Sequence, residues 1–400
     1  MAVKPSKEWL ALGYGVEDTG GEIPKLFTPL KLRNLTLRNR IMVSPMCQYS
    51  CEDGFANDWQ LVHLGAFAAR GVGLIMAEAT AVLPNGRITP YCAGIWKDEH
   101  IAAWQRVVKF AHSQGTPMGI QLAHAGRKAS TFPMFFPESR EAATPKDGGW
   151  TEGQGSSDDT VWGPSDEPWG PEGYPQPHTM TVAQIKELVQ AFRDAAVRSE
   201  KAGFDLIEIH SAHGYMLHSF LSPLSNHRTD QYGGSFANRI RLLLEIIEAV
   251  RSVWSEEKPL FVRVSATDWV EGEGWDSNQT VQLAQRLAKL GTVDLLDVST
   301  GGNTPRQKIK VGPLFQVPFS AKVKKAVPAS KLLTATVGNI KTGPEAEEIL
   351  QNGDADLICL ARPFMRDPAW VLKAGIDLGV YVKWPEQYKV ARPRGHLTAM

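Results

Sequence analysis

Long hydrophobic runs and an excess of one charge are both missing from this 400-residue sequence. No run reaches the roughly 18 apolar residues that a membrane-spanning helix needs. Lysine and arginine together number 43, as do aspartate and glutamate, so neither nucleic acid nor an anionic membrane surface is expected as a partner. The first residues also lack the apolar core of a secretory signal. We therefore expect a soluble cytoplasmic protein.

Cysteine is scarce, and several common catalytic motifs are absent. The four cysteines, Cys47, Cys51, Cys92 and Cys359, have no disulfide-framework or zinc spacing. There is no nucleophile elbow of the G-x-S-x-G kind, and no glycine-rich dinucleotide motif follows the first apolar segment. These absences argue against a disulfide scaffold, an α/β-hydrolase and an open doubly wound sheet.

What the sequence does contain is a regular alternation of short apolar segments with helical segments. Eight such segments read as buried parallel strands: Arg40–Met46, Leu74–Thr80, Met118–His124, Leu206–Ile209, Leu260–Ser265, Asp294–Ser299, Lys331–Val337 and Asp356–Ala361. Eight alternating units predict the α/β class and a single closed (β/α)8 TIM barrel. We expect the barrel over residues 26–380, with an amino-terminal arm at 1–25 and a tail at 381–400.

One segment interrupts the alternation after the third strand. Residues 125–180 are rich in proline, glycine, tryptophan and acidic residues, and they are too long for an ordinary connection. Loops of this length inside a compact domain are usually functional. We interpret the segment as a lid over one end of the barrel, with a disordered surface insertion as the alternative.

Catalytic groups of such barrels lie at the carboxyl ends of the strands, so those ends can be compared directly. The fourth strand ends in His210, followed by His213 and Tyr215. This group suits an oxyanion-like oxygen with two donors and a phenolic proton, although a metal-binding pair or two hydrogen-bonded structural histidines would give the same spacing. Gly338 and Arg362 follow the seventh and eighth strands, where barrel enzymes often bind phosphate, although a tight turn at Gly338 and a surface ion pair of Arg362 are the alternatives.

Two interior residues have open interpretations. Arg263 lies in an apolar strand, and a buried guanidinium requires a partner. That partner is either Glu208 or Glu78 or an anionic group of a ligand. Gln121 is either a polar barrel residue or a partner for the edge of a heterocycle.

Longer motifs then point to a family. They are Leu26–Leu30, Asn39–Ser50, Gly94–Trp96, Gln121–Lys128, Gly203–Tyr215, Phe220–Ser235, Pro259–Ser265 and Asp356–Arg362. On these motifs the chain resembles the Old Yellow Enzyme family of FMN-dependent ene-reductases, and within it the branch typified by the bacterial YqjM protein. The resemblance covers about residues 25–367.

The resemblance implies FMN across the barrel mouth, NADPH or NADH as reductant and a small activated alkene as substrate. It assigns FMN contacts to Pro45, Met46, Cys47, Ala79, Gln121, Arg263, Gly338, Ala361 and Arg362. His210 and His213 would bind the activating oxygen of the alkene, and Tyr215 would donate a proton. Tyr49 would line the substrate side.

The resemblance also implies a homo-oligomer, a dimer or a tetramer, with the tail at a subunit interface. Some relatives place an arginine after a Gln-Tyr pair in a neighbouring active site. Here Arg392 comes two residues later than that pattern. Three other functions compete: an iron–sulfur relative, for which the cysteines are lacking, a metal hydrolase using the histidine pair, and a catalytically silent barrel.

Overall fold

In a computed structural model, which describes residues 23–139, 141–150, 161–170 and 173–393, eight parallel strands close into a barrel. The strands are β1 (Ile41–Val43), β2 (Leu74–Ala81), β3 (Met118–Ala123), β4 (Leu206–Ser211), β5 (Leu260–Ser265), β6 (Leu295–Ser299), β7 (Leu333–Thr336) and β8 (Leu357–Leu360). Each pairs with its neighbours in sequence, and β8 pairs with β1 through Cys359 opposite Met42. The predicted (β/α)8 barrel is confirmed.

Helices follow the strands and cover the outside of the barrel. They are α1 (Asp58–Ala68), α2 (His100–Ser113), α3 (Val182–Ala202), α4 (Met216–Leu221), α5 (Phe236–Arg239), α6 (Arg241–Arg251), α7 (Ser277–Leu290), α8 (Val317–Ala326), α9 (Gly343–Gln351), α10 (Arg362–Arg366) and α11 (Trp370–Asp377). Local chemistry sets their ends. α3 begins at a capping box between Thr181 and Gln184, and it ends at Gly203, whose φ of 90° is left-handed.

A short hairpin closes the amino-terminal end of the barrel. Its strands Leu30–Leu32 and Leu35–Leu37 are antiparallel. Leu30, Leu32 and Leu37 pack with the apolar side chains at the amino ends of the barrel strands in one buried cluster. Because this end is sealed by apolar contacts, the carboxyl end is the one that can receive ligands.

The described part of the 125–180 segment packs on the barrel mouth. Trp162–Gly163 pairs with His178–Thr179 in a two-stranded sheet. The buried indole of Trp162 stacks on His124 with ring centroids 5.8 Å apart. These described residues therefore pack against the barrel. That the segment acts as a lid stays a prediction, and residues 140, 151–160 and 171–172 lie outside the described ranges.

The predicted arm and tail are covered only in part. Residues 1–22 and 394–400 lie outside the described ranges. In the tail, the guanidinium of Arg392 lies 5.1 Å from the ring centroid of Tyr381 in the same chain. A subunit interface at the tail stays a prediction. None of the helices in the described ranges has the length and apolarity of a bilayer span.

The capping box of α3 gives a test of how this fold is held together. Thr181→Ala removes the hydroxyl that accepts from the backbone N–H of Gln184 and is expected to lower the free energy of unfolding by about 1 kcal/mol. Urea denaturation measures the change. The control Thr179→Ala alters an exposed threonine two residues earlier and should leave stability unchanged. Equal effects of both substitutions would show that the cap does not stabilise α3.

Candidate active site

Three aromatic side chains predicted to act together do lie together at the carboxyl end of β4. The ring centroid of His210 is 5.3 Å from that of His213 and 5.2 Å from that of Tyr215. His210 belongs to β4, whereas His213 and Tyr215 belong to the turn that leads into α4. The structure therefore brings both imidazoles and the phenol to one side of the barrel mouth.

The turn that carries His213 has a backbone conformation held by its neighbours. His213 has a φ of 61°, which is uncommon for a residue with a side chain. Its N–H donates to Ser265 Oγ over 2.9 Å, and its carbonyl accepts from Lys128 Nζ over 2.9 Å. At Gly214, a Cβ would lie 2.2 Å from the carbonyl oxygen of Gly302, so only glycine fits.

A buried His–Asp pair lies beneath the same turn. The N–H of Gly214 donates to His218 Nδ1 over 2.9 Å, which leaves the proton of this imidazole on Nε2. Nε2 lies 3.1 Å from Asp268 Oδ1, and both side chains are fully buried. Burial opposes the charge of Asp268, but His218 and Ser222 outweigh it and hold the pKa of Asp268 below its ordinary value. Through the N–H of Gly214, this pair holds the backbone between His213 and Tyr215.

The protonation states of the three aromatic groups suit hydrogen-bond donation. Burial, reinforced by the positive charge of Arg263, holds the pKa of His210 and of His213 well below the ordinary value. Burial also raises the pKa of Tyr215 well above its ordinary value. Both imidazoles are therefore neutral at pH 7, and the phenol keeps its proton.

The two histidines differ in their partners. His213 Nε2 lies 2.8 Å from Ser299 Oγ. By contrast, His210 Nδ1 is buried and makes no hydrogen bond with any residue of the described chain. The interpretation of two fully hydrogen-bonded structural histidines is therefore wrong for His210, because an imidazole nitrogen buried without a partner is costly. Within the described ranges, no group of three His, Cys, Asp or Glu side chains is arranged to hold a metal ion.

Inside the barrel, Arg263 is paired with a residue that the sequence did not single out. Its Nε lies 3.0 Å from Asp297 Oδ2, and the two residues are opposite each other in the ladder between β5 and β6. Glu208 contributes to the same charge group, but Glu78 does not. Glu78 instead accepts hydrogen bonds from the backbone of Gln48 and the side chain of Gln60. The predicted alternative of Glu78 as the partner is therefore wrong.

The two carboxyl groups beside Arg263, those of Asp297 and Glu208, share one proton. Burial and the nearby charge of Asp297 raise the pKa of Glu208 to about 8, although Arg263 acts in the opposite direction. Glu208 is thus neutral at pH 7, while Asp297 balances the guanidinium. The side-chain amide of Gln121 donates to Glu208 Oε1 over 2.7 Å. Gln121 is therefore a polar residue of the barrel interior, and whether it also meets a heterocycle stays a prediction.

The segment after β1 forms another side of the mouth. Pro45, Met46, Cys47 and Tyr49 are half-buried there, and the ring of Tyr49 lies 6.1 Å from that of Phe135 in the 125–180 segment. Burial raises the pKa of Cys47 well above its ordinary value, so the group is a thiol and not a thiolate at pH 7. Ala79 lines a small cavity together with His210 and Tyr215.

The ends of β7 and β8 enclose a separate cavity of about 180 Å³, lined by Gly338, Asn339, Ala361 and Arg362 among others. The N–H groups of Gly338 and Asn339 have no hydrogen-bond partner in the described chain. Arg362 makes no ion pair with a described residue. A Cβ at Gly338, whose φ is 128°, would lie 2.7 Å from Gln316 Nε2. A tight turn at Gly338 and an ion pair of Arg362 therefore do not account for this arrangement. Two N–H donors and one cation remain without partners in the described chain at the place expected for phosphate.

Comparison with known proteins identifies the family. The NADH:flavin oxidoreductase / NADH oxidase family matches residues 25–379. The chain belongs to this family. It is 48% identical over 374 residues to an NADH:flavin oxidoreductase of Gibberella zeae, which covers 91% of this chain and 88% of that protein. It is 43% identical to the NADPH dehydrogenase of Bacillus subtilis (strain 168), over 91% and 98% of the two chains.

Solved structures agree with this membership. Morphinone reductase superposes with a TM-score of 0.72 at 27% identity, covering 92% of this chain and 93% of that one. The resemblance to the Old Yellow Enzyme family is thus confirmed. As a member, the chain is an oxidoreductase that uses FMN as cofactor and NAD(P)H as reductant. Membership favours this activity over the metal hydrolase.

Five residues that support the site were not predicted as part of it. They are Lys128, His218, Asp268, Asp297 and Gln316. Lys128 lies inside the motif Gln121–Lys128. Its contact with the carbonyl of His213, however, depends on where the 125–180 segment turns back over β4. Asp297 is an acidic residue in an otherwise apolar strand, and this composition was a usable signal. His218 and Asp268 lie 50 residues apart and meet only through tertiary packing.

His124, at the end of β3, gives a pH-dependent prediction. Burial lowers its pKa to about 3, whereas in the unfolded chain the ordinary value near 6.5 applies. Below about pH 6.5, the unfolded chain binds a proton at His124 that the folded protein does not bind. The free energy of unfolding therefore falls as the pH decreases. Between pH 7.5 and pH 5, this one group is expected to lower the free energy of unfolding by about 2 kcal/mol.

Urea denaturation of His124→Gln at both pH values measures this contribution. The variant should lose about 2 kcal/mol less stability than the unmodified protein on acidification, since glutamine does not titrate. The matched control is His178→Gln, because His178 is an exposed histidine of the 125–180 segment. An acid-induced loss of the same size in His124→Gln as in the unmodified protein would contradict the prediction.

Proposed function

We propose that this FMN-dependent oxidoreductase is an ene-reductase that acts on α,β-unsaturated aldehydes, ketones and related activated alkenes. The observation that carries the proposal is the buried Nδ1 of His210, which has no partner in the described chain and lies in a group with His213 and Tyr215. A neutral imidazole buried with an unused nitrogen suits a ligand oxygen that replaces the missing hydrogen bond.

The residues at the ends of β7 and β8 fit the phosphate of FMN. Gly338 and Asn339 offer unpaired N–H groups, and Arg362 offers a cation in the cavity of about 180 Å³. Unpaired backbone donors beside a guanidinium form an anion site. Because a Cβ at Gly338 would occupy space next to Gln316, glycine keeps this cavity open.

The barrel mouth fits the ring system of FMN. We assign contacts with it to Pro45, Met46, Cys47, Ala79, Gln121, Ala361 and Arg263. Arg263 keeps its charge because Asp297 raises its pKa despite its burial, and a fixed cation tunes a bound flavin. FMN, when bound, would supply the hydride that NAD(P)H has delivered to it.

The aromatic group would then activate the alkene. Two neutral imidazoles donate to the carbonyl oxygen on which negative charge develops as the β-carbon accepts a hydride, and such donors lower the barrier more than they aid binding. The protonated Tyr215 is the acid that would deliver a proton to the α-carbon. Tyr49, beside Phe135, would border the substrate on the opposite side of the mouth.

Anaerobic absorption spectroscopy tests this function by separating the two half-reactions. NADPH should bleach the flavin bands of the purified protein, and 2-cyclohexenone should restore them. In His210→Ala the return of the bands should be about 10²–10³-fold slower, because one donor to the developing oxyanion is lost. Bleaching by NADPH is the internal control and should change far less.

Two results would refute this assignment. If the unmodified protein bleaches with NADPH but no activated alkene restores the bands, the chain is a flavin reductase without ene-reductase activity. If His210→Ala slows both half-reactions equally, the histidine does not act on the alkene. The second result would leave the family and the cofactor unchanged.

The phosphate assignment is tested by cofactor retention. Arg362→Ala removes the cation of the cavity and is expected to weaken FMN binding by at least about tenfold, since charge-assisted contacts of this kind contribute about 1.5–3 kcal/mol. Flavin absorbance after dialysis measures occupancy. The control is Arg193→Ala, a partly exposed arginine of α3 that lies outside the cavity. Full occupancy in Arg362→Ala would refute the assignment of this cavity to phosphate.

A further inference from the structure

A large cationic cavity opens at the barrel mouth between the loops that follow β5 and β6. Its volume is about 760 Å³, within the range of about 300–1,000 Å³ that ligand sites usually occupy. Trp269 and Glu273 come from the loop after β5, and Arg306, Lys308 and Lys310 come from the loop after β6. None of these residues belongs to the aromatic group or to the cavity assigned to the flavin phosphate.

Two residues, Ser265 and Gly301, connect the turn that carries His213 to the wall of the cavity. Ser265 Oγ accepts from the N–H of His213 and donates to the carbonyl of Gly301 over 2.8 Å. Gly301 in turn donates its N–H to the carbonyl of Thr267, which lines the cavity. A Cβ on Gly301 would lie 3.4 Å from Trp269 Cδ1. The turn that carries His213 and the wall of the cavity are therefore joined by a short chain of hydrogen bonds on the same side of the barrel mouth.

Two lysines of the cavity have no partner among the described residues. Arg306 forms an ion pair of 2.6 Å with Glu273. Lys308 and Lys310 are exposed, and neither side chain has a hydrogen bond or ion pair with a residue of the described ranges. Glu271 is the other carboxylate of the lining, so three cations face two carboxylates. Two ammonium groups without partners favour a ligand with a doubly charged anionic group.

We propose that this cavity binds the adenosine end of NADPH and that Lys308 and Lys310 recognise its 2′-phosphate. The 2′-phosphate carries a charge near −2 at pH 7, and NADH has a hydroxyl in its place. The two lysines therefore give the chain a preference for NADPH over NADH. This inference rests on the use of NAD(P)H in the proposed function and not on the identity of the alkene.

The positions of the aromatic group and of the two lysines determine the orientation of the dinucleotide. Hydride transfer requires its nicotinamide at the flavin, beside the aromatic group, and the remainder of the molecule must leave the mouth along one of its sides. The side formed by the loops after β5 and β6 leads to the lysines. Trp269 lines this cavity, and its buried Nε1 has no partner in the described chain, so it is a free donor for a ligand oxygen.

The test compares the charge-reversed double variant Lys308→Glu/Lys310→Glu with the unmodified FMN-loaded enzyme. Calorimetric titration with adenosine 2′,5′-bisphosphate and with 5′-AMP measures binding without turnover. Stopped-flow bleaching of the flavin by NADPH and by NADH measures the Kd of each reductant. We expect the Kd of the bisphosphate and of NADPH to rise at least about tenfold, with those of 5′-AMP and NADH changing less than about threefold.

Two further variants make the comparison specific. Lys308→Gln/Lys310→Gln removes the charges without reversing them and should show the same selectivity with a smaller change. Lys31→Glu reverses an exposed lysine in the hairpin at the opposite end of the barrel and should alter no Kd. Because electrostatic contacts are screened, the preference for NADPH should also weaken as ionic strength rises.

Each outcome decides the inference. A loss confined to the 2′-phosphorylated ligands supports it. Equal losses for NADPH and NADH would overturn it, since the lysines would then act only through a general field. Unchanged Kd values for all four ligands would also overturn it. If the enzyme fails to reduce any alkene, the proposed function is refuted, but the titrations and the bleaching reaction still decide whether the lysines bind the 2′-phosphate.

Discussion

A guanidinium cannot be buried alone among apolar side chains, and the interior of this barrel satisfies that constraint with residues from neighbouring strands. Arg263 on β5 is paired with Asp297 on β6, and Glu208 on β4 holds a proton instead of a second negative charge. Gln121 on β3 completes the group by donating to Glu208. The barrel therefore keeps one fixed cation in its interior without a net buried charge.

The turn that carries His213 depends on residues from other parts of the sequence. Its backbone is held by Ser265 from β5, by Lys128 from the start of the 125–180 segment and by the buried pair of His218 and Asp268. A left-handed conformation at His213 persists only where the surroundings determine it. The loops after β3, β4 and β5 thus hold the aromatic group in place together. A substitution in any of these loops is expected to alter its geometry.

Much of the fold was predictable because periodicity and composition report burial directly. The eight strands were found to within a few residues, and His210, His213 and Tyr215 could be grouped because parallel strands end on one side of a barrel. The partner of Asp297 and the His218–Asp268 pair could not be assigned, since pairing depends on strand register and on packing between distant loops. Sequence spacing shows which residues reach the mouth, whereas it does not show which of them face each other.

The sealed amino end of the barrel has a consequence for how this chain can vary. Leu30, Leu32 and Leu37 form a plug whose buried contacts are all apolar, whereas every polar group assigned to a ligand lies at the other rim. Substitutions in the plug are therefore expected to alter thermal tolerance while leaving the chemistry intact, and substitutions of exposed loop residues at the mouth are expected to alter ligand choice at little cost in stability. A lineage, or a protein engineer, can thus adjust these two traits independently.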